Sequence, residues 1–313
     1  FTEVRYKGAK TVAVTPDYSE VAKLADLWMH PKQGTDAAVA MAMGHVILKE
    51  FYFDKRSAYF DDYARRYTDL PLLVVLKEKQ LADGRTVMVP DRYVRASDFP
   101  GKLDQGNNPD WKTVAYAEDG QVVLPNGSIG FRWGAKDRPD HGKWNLENKD
   151  ARNDAEVKLK LSVLEDGAQT YEMGQVAFPY FGGVETPHFP ANPHLGEDIM
   201  VSPVPVTRLQ LQGDGVSGEV MVATVFDLLA ANYGIQRGLP GETGAAGYDA
   251  DRPYTPAWQE RITGVPREQV ITIARQFADN ADKTHGKSMV IIGAAMNHWY
   301  HCDMNYRGII NML

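Results

Sequence analysis

Eight residues at the two ends of the chain have the types and spacing from which a ligand site is built. They are Thr15, Asp17, Gly34 and Asp36 early, and Gly293, Met296, Asn297 and His298 late. Their hydroxyl, carboxylate, amide and imidazole groups donate and accept hydrogen bonds, and glycine lets the backbone approach a ligand closely. Each set sits where an apolar run breaks into a polar turn. Thr11-Val12-Ala13-Val14 runs into Thr15-Pro16-Asp17, and a second turn, Lys32-Gln33-Gly34-Thr35-Asp36, opens a helix. Late in the chain, Met289-Val290-Ile291-Ile292 stops at Gly293, and Met296-Asn297-His298-Trp299-Tyr300 begins another helix. Strand-to-turn-to-helix junctions in one α/β sheet aim loop amides and helix N-termini at anionic, hydrogen-bonding ligands. The pattern predicts a dinucleotide-like cofactor.

Three zones must position these turns. Over 1–54 the pattern reads strand, helix, helix: Val21, Leu24, Ala25, Leu27 and Trp28 recur at helical spacing, and Thr35-Asp36 caps a helix over 37–48. Over 55–250 Gly, Pro and polar turns dominate. Two hairpins are predicted there, one with strands at 113–116 and 121–124, the other at 208–212 and 219–224 around Gly213-Asp214-Gly215. Over 251–313 the helical period returns, with Pro266 in a first turn, Val270, Ile273, Ala274, Phe277 and Ala278 on one face, and Gly286 as the C-cap. Residues 288–292 predict a strand that joins the first zone's sheet. The expected fold is α/β, a Rossmann-like three-layer domain formed by both ends of the chain, with a large β-rich insertion of long loops between them.

Plainer readings compete. A Gly-Thr-Asp turn before a helix also serves as a simple cap, and so does Asp17 before the helix it precedes. The cluster His298, His301, Cys302 and Asp303 invites a metal, yet neighbouring helical residues diverge by about 100°, which favours a polar helix start with packed histidines. Asp54-Lys55-Arg56 and Asp61-Asp62 with Arg65-Arg66 read as a solvated helix face. Arg132, Trp133, Lys143 and Trp144 offer either an anion path or surface packing.

Composition narrows the classes. A formal charge of −7 over 313 residues argues against a nucleic-acid surface, which needs clustered Lys and Arg. The single cysteine, Cys302, builds neither a disulfide framework nor a cysteine-ligated [4Fe-4S] cluster from these residues. The longest apolar runs fall short of the roughly 20 residues that cross a bilayer, so membrane attachment is expected through another subunit.

The same residues carry a resemblance. Val12-Ala13-Val14-Thr15-Pro16-Asp17 through Trp28, Gly34-Thr35-Asp36-Ala37-Ala38, Ala42-Met43-Gly44-His45-Val46-Ile47 and Gly293-Ala294-Ala295-Met296-Asn297-His298-Trp299-Tyr300 resemble the guanine-nucleotide segments of molybdopterin oxidoreductases of the dimethyl sulfoxide reductase type. Within that family, five runs are most similar to the branch that reduces nitrate in respiration. They are Asn297-His298-Trp299-Tyr300-His301 with Asp303-Met304-Asn305-Tyr306-Arg307-Gly308, Tyr67-Thr68-Asp69, Asn126-Gly127-Ser128-Ile129-Gly130-Phe131-Arg132-Trp133-Gly134, Gly142-Lys143-Trp144-Asn145-Leu146, and Phe178-Pro179-Tyr180-Phe181-Gly182-Gly183. Departures occur at Thr15, where the family commonly has an acid, at Asp17, where it has arginine, and at Ala295 and Cys302, where it has glycine.

The resemblance implies an internal piece of a catalytic alpha subunit. In such a subunit nitrate becomes nitrite at a molybdenum bis(molybdopterin guanine dinucleotide) centre, with a [4Fe-4S] cluster held outside this segment. It implies partners too: the rest of the alpha subunit, an iron-sulfur beta subunit and a membrane haem gamma subunit, assembled on the cytoplasmic face of the membrane. By the same resemblance, Thr15, Asp17, Gly34, Asp36, Gly293, Met296, Asn297 and His298 contact one dinucleotide, and none ligates the metal. The alternatives are a formate, selenate or chlorate enzyme of the family, or a non-catalytic nucleotide-binding module, although no Gly-x-Gly-x-x-Gly fingerprint follows a strand.

Overall fold

The computed structural model describes residues 2–81, 84–103, 108–127, 147–165, 170–179, 199–213 and 216–313. Arg132, Trp133, Lys143 and Trp144 lie outside them. The fold is mixed α/β. A short helix Thr2–Tyr6 (α1) leads to strand Val12–Val14 (β1), helix Glu20–Leu24 (α2) and strand Leu27–Met29 (β2). Strands β1 and β2 pair in parallel, with Val12 opposite Leu27 and Val14 opposite Met29.

The helical spacing of Val21 to Trp28 therefore misleads. The chain leaves α2 at Ala25 with ψ 156°, and Leu27 and Trp28 belong to a strand. A helix of five residues gains little from propensity, while the strand buries Met29 to 1% exposure beside Val39 and Ile273. Asp26 anchors the switch by accepting from the Thr11 amide at 2.8 Å and from Arg5 Nη2 at 2.8 Å, contacts that draw its pKa down to about 2.

Helix Asp36–Ile47 (α3) continues as a π-helical segment, Leu48–Asp54, and is followed by helix Ala58–Tyr67 (α4). The exposed pair Arg66–Asp62 on α4 fits the solvated face predicted there, but Arg65 does not: it is 5% exposed between Asp61 and Glu165, at 3.0 and 3.1 Å.

The middle zone is rich in strands. Strands Leu73–Gln80 (β3), Thr86–Tyr93 (β4), Glu172–Pro179 (β7), Ile199–Gly213 (β8) and Val216–Thr224 (β9) close a five-stranded barrel, completed by a parallel contact between β4 and β7 at Met88 and Val176. Strands Ala115–Tyr116 (β5) and Val122–Val123 (β6) form the first predicted hairpin, and β8 with β9 the second. Side chains alternate as pleating requires. Leu73 and Val75 pack with Val94, Tyr116, Leu211 and Val222, while Val74 and Leu76 pack with Val176, Val204 and Leu228.

After helix Val225–Asn232 (α5), helices Pro256–Thr263 (α6), Arg267–Thr284 (α7) and Cys302–Met312 (α8) pack around α3. Both ends of the chain thus share one core, with Val39, Met43 and Val46 against Val270, Ile273, Ala274 and Ile309. Helix α7 buries the face read from sequence, and its left-handed exit starts at His285 (φ 54°), one residue before the predicted Gly286.

The strand predicted over 288–292 does not form, and 287–293 has no strand partner among the described residues. Its alternation survives: Val290 and Ile292 pack on the shared core, whereas Met289 and Ile291 are 76% and 79% exposed. Helix α7 captures the entry to this run, because Asn280 donates to the Lys287 carbonyl at 2.8 Å and Ser288 to the Phe277 carbonyl at 2.8 Å. The helix predicted from Met296 also starts later, at Cys302, after a 3-10 turn Ala294–His298.

Candidate functional site

Because β1 and β2 run parallel, the turns that follow them leave the same edge of the sheet, the edge at which α/β sheets present ligand crevices. The Thr15 amide donates to the Met29 carbonyl at 3.0 Å, and Trp28 Nε1 donates to the Thr15 carbonyl at 2.9 Å. Trp28 is packed between Tyr18 and His30, at ring separations of 5.2 and 4.9 Å. The exposed Asp17 accepts from the Thr15 hydroxyl at 2.8 Å, and Ser19 rather than Asp17 occupies the N-cap of α2.

The second turn meets α3 through an unexpected partner. Gly34 has φ +76°, a left-handed conformation that glycine adopts without strain. Thr35 stands at the N-cap of α3 but spends its hydroxyl on the Lys32 carbonyl at 2.6 Å and makes no cap. The cap comes from Asn305 on α8, whose Oδ1 accepts from the Ala37 amide at 2.9 Å. Asn305 is 2% exposed, and its Nδ2 donates to the His301 carbonyl at 3.3 Å and reaches that of Gly34 at 3.5 Å.

Asp36 is consequently not needed as a cap. It is half-buried, burial pushes its carboxyl up from its ordinary value against the pull of a hydrogen bond from its own amide, and no cation or hydroxyl pairs with it among the described residues. Sequence reading overlooked Asn305. The available signal was a lone amide on the apolar stripe that holds Gly308, Ile309 and Met312 at helical spacing.

The late turn closes over the early one. Trp299 lies 4.0 Å from where a Cβ on Gly34 would stand, and a Cβ on Gly308 would stand 3.0 Å from that of Ala37. Asn297 and His298 are exposed, with Asn297 Oδ1 accepting from the Tyr306 hydroxyl. Gly293 faces open space, and Met296 packs on the shared core. The fold thus brings Gly34 and Asp36 to the late turn and sets Thr15 and Asp17 on the neighbouring strand end. Among the described residues no hydrogen bond or ion pair joins Asn297 or His298 to Thr15 or Asp17.

A family model described as molybdopterin oxidoreductase matches residues 2–313. The chain belongs to the molybdopterin oxidoreductase family. It is 58% identical, over its whole length, to the respiratory nitrate reductase 1 alpha chain of Escherichia coli, and 40% identical over 99% of its length to the nitrate reductase alpha chain of Bacillus subtilis. A more distant relative, 27% identical over 98% of the chain, is the perchlorate reductase subunit alpha of Dechloromonas aromatica. The chain spans about a quarter of the length of these relatives, 24% of the Escherichia coli protein and 23% of the Bacillus subtilis protein.

The family implies a molybdenum-pterin cofactor. At the two turns Asp36 is an acceptor beside a helix N-terminus with only its own amide as donor, no atom stands within 4 Å of where a Cβ on Gly293 would be, and the exposed Asn297 and His298 carry donors and acceptors, a chemistry that fits a polar, anionic group. Among the described residues no three His, Cys, Asp or Glu side chains converge as metal ligands, and none of the described helices is long and apolar enough to cross a membrane.

Proposed function

We propose that this segment holds the guanosine end of one molybdopterin guanine dinucleotide within the catalytic subunit of a quinol-linked nitrate reductase. The two ends, 1–54 and 251–313, act in this reading as one Rossmann-like cofactor unit, with 55–250 as a β-rich insertion. The observation that carries it is the Asp36 carboxylate, relieved of capping by Asn305 and half-buried with only its own backbone amide as a hydrogen-bond donor among the described residues. A guanine offers adjacent N–H donors of the kind such a carboxylate accepts. Gly34 and the Ala294–His298 turn bound the crevice beside it, and Thr15 and Asp17 supply hydrogen-bonding groups from the neighbouring strand end.

When bound, the molybdenum centre supplies the oxygen-atom transfer from nitrate, while this chain's residues bind and orient the group. Nitrate is favoured over other oxyanions because identity to the nitrate reductase alpha chains reaches 58%, against 27% to the perchlorate reductase subunit. The alpha chains' names support a complex, so iron-sulfur beta and membrane haem gamma partners, [4Fe-4S] centres outside this segment and assembly on the cytoplasmic membrane face belong to the same proposal.

The test is Asp36→Ala in the full subunit, read as GMP released per subunit after acid hydrolysis. A charge-assisted hydrogen bond is worth roughly 1.5–3 kcal/mol, so retention weakens about tenfold or more. Full GMP content together with a stability loss of about 1 kcal/mol would instead make Asp36 a structural first-turn residue.

A further inference from the structure

We infer that Asn305 is a positioning residue that sets the two nucleotide-facing turns against each other, an inference that rests on the function proposed above. A helix N-terminus is ordinarily capped from within its own turn, and Thr35 stands where such a cap would be. Here the cap crosses the molecule. The buried carboxamide of Asn305 reaches three backbone groups: the Ala37 amide at 2.9 Å, the His301 carbonyl at 3.3 Å and the Gly34 carbonyl at 3.5 Å. Its orientation follows from the partners, since only Oδ1 can accept from an amide and only Nδ2 can donate to carbonyls.

The three groups belong to three pieces of the site. Ala37 is in the first turn of α3 beside Asp36, Gly34 is the left-handed corner of the early turn, and His301 starts α8 just after the late turn. One side chain therefore fixes the height of α8 along α3. Gly308 leaves no room for adjustment, because a Cβ there would stand 3.0 Å from Ala37 Cβ. Trp299, just before α8, lies 4.0 Å from where a Cβ on Gly34 would stand. By capping α3 from outside, Asn305 also leaves the Asp36 carboxylate available to a ligand.

Acceptor and donor functions are separable by substitution. Asn305→Asp keeps an acceptor for the Ala37 amide and suits a helix N-terminus at least as well as asparagine. It cannot donate to the Gly34 and His301 carbonyls, and it places a second carboxylate near Asp36. A purely structural cap leaves cofactor retention by folded Asn305→Asp at the wild-type level, whereas a positioning residue does not.

The experiment uses the full-length enzyme purified with its cofactor, comparing wild type, Asn305→Asp, Asn305→Ala and Asp36→Ala. Thermal unfolding is read beside the rate of GMP-containing cofactor loss at a temperature where all four stay folded. Asn305→Asp is expected to unfold somewhat earlier than wild type, because a buried carboxylate then faces the Gly34 and His301 carbonyls, and to lose cofactor roughly fivefold faster or more while folded. Asn305→Ala is expected both to unfold earlier and to lose cofactor at least as fast. Wild-type cofactor retention by Asn305→Asp, with Asp36→Ala losing cofactor, overturns the inference while the nucleotide site stands. Full retention by Asp36→Ala and Asn305→Asp overturns both.

Discussion

The barrel and the layer built by the two ends of the chain bury their apolar residues by different routes. In the barrel each strand has neighbours on both sides, and the pairing runs unbroken from Glu172 opposite Val206 to Pro179 opposite Ile199. The end layer has two strands of three residues among the described residues, and the unpaired run 287–293 leaves Met289 and Ile291 in solvent. Its order comes from helices around α3 and from side chains reaching backbone far along the chain, as Asn305 does to Ala37 and Gln269 Nε2 to the Trp28 carbonyl at 2.9 Å. A closed barrel satisfies its own backbone through its ladders. The turns of the end layer are held from outside and keep polar groups available, among them Asp36, Asn297 and His298.

The comparison breaks most visibly where the barrel meets α5. Asp227 is 0% exposed and accepts from Ser162 Oγ at 2.7 Å, the Val163 amide at 2.9 Å, Thr224 Oγ1 at 2.9 Å and Arg237 Nη1 at 2.6 Å. Asp227→Ala removes the nearer carboxylate from the buried Arg237 guanidinium, leaving it Glu242 at 3.5 Å, and unpairs three further donors, at an expected cost of about 3–5 kcal/mol. Thermal unfolding is expected to move down sharply, while GMP per folded subunit stays at the wild-type level. A fall in GMP among folded molecules would show that the two regions are not separable in this way.

His45 sharpens the comparison because it joins the regions. It sits on α3 at 2% exposure, and its Nδ1–H donates to the Tyr233 carbonyl at 2.8 Å, just beyond α5. Burial holds its pKa down at about 4, from an ordinary 6.5. Between those values the unfolded chain binds the proton and the folded one does not, so stability is full above about pH 6.5 and is lost as pH falls toward 4. The loss amounts to roughly 3 kcal/mol across that window. Urea midpoints against pH are expected to show this slope in wild type and a shallower one in His45→Gln.

The smallest effect is expected at Cys302, the half-buried free thiol at the start of α8. Cys302→Ser is expected to shift stability by less than about 0.5 kcal/mol and to leave GMP content unchanged. A large loss of cofactor in that variant would move the site toward α8 itself.

Much of this was legible in the sequence where local chemistry decides structure. The pairing of β5 with β6 and of β8 with β9, the apolar face of α7 and the helix that follows Thr35 follow from turn residues and periodicity. The misreadings share one cause, which is that distant partners overrode local pattern. Leu27 and Trp28 fit a helix until β1 is available as a parallel neighbour, and 288–292 fits a strand until α7 holds its entry. Thr35-Asp36 reads as a self-sufficient cap, and only the fold shows Asn305 supplying it from 268 positions away. The site residues were chosen by type and by family likeness. Their grouping into one early and one late turn that touch through Trp299 belongs to the tertiary structure.

The most direct test of the site is a structure of the intact holoenzyme with the dinucleotide in place. The account predicts an Asp36 carboxylate oxygen within about 3.2 Å of a guanine nitrogen, with Asn297 or His298 within hydrogen-bond reach of the same nucleotide. Separation of Asp36, Asn297 and His298 from every cofactor atom by more than about 6 Å, well beyond that reach, would contradict it.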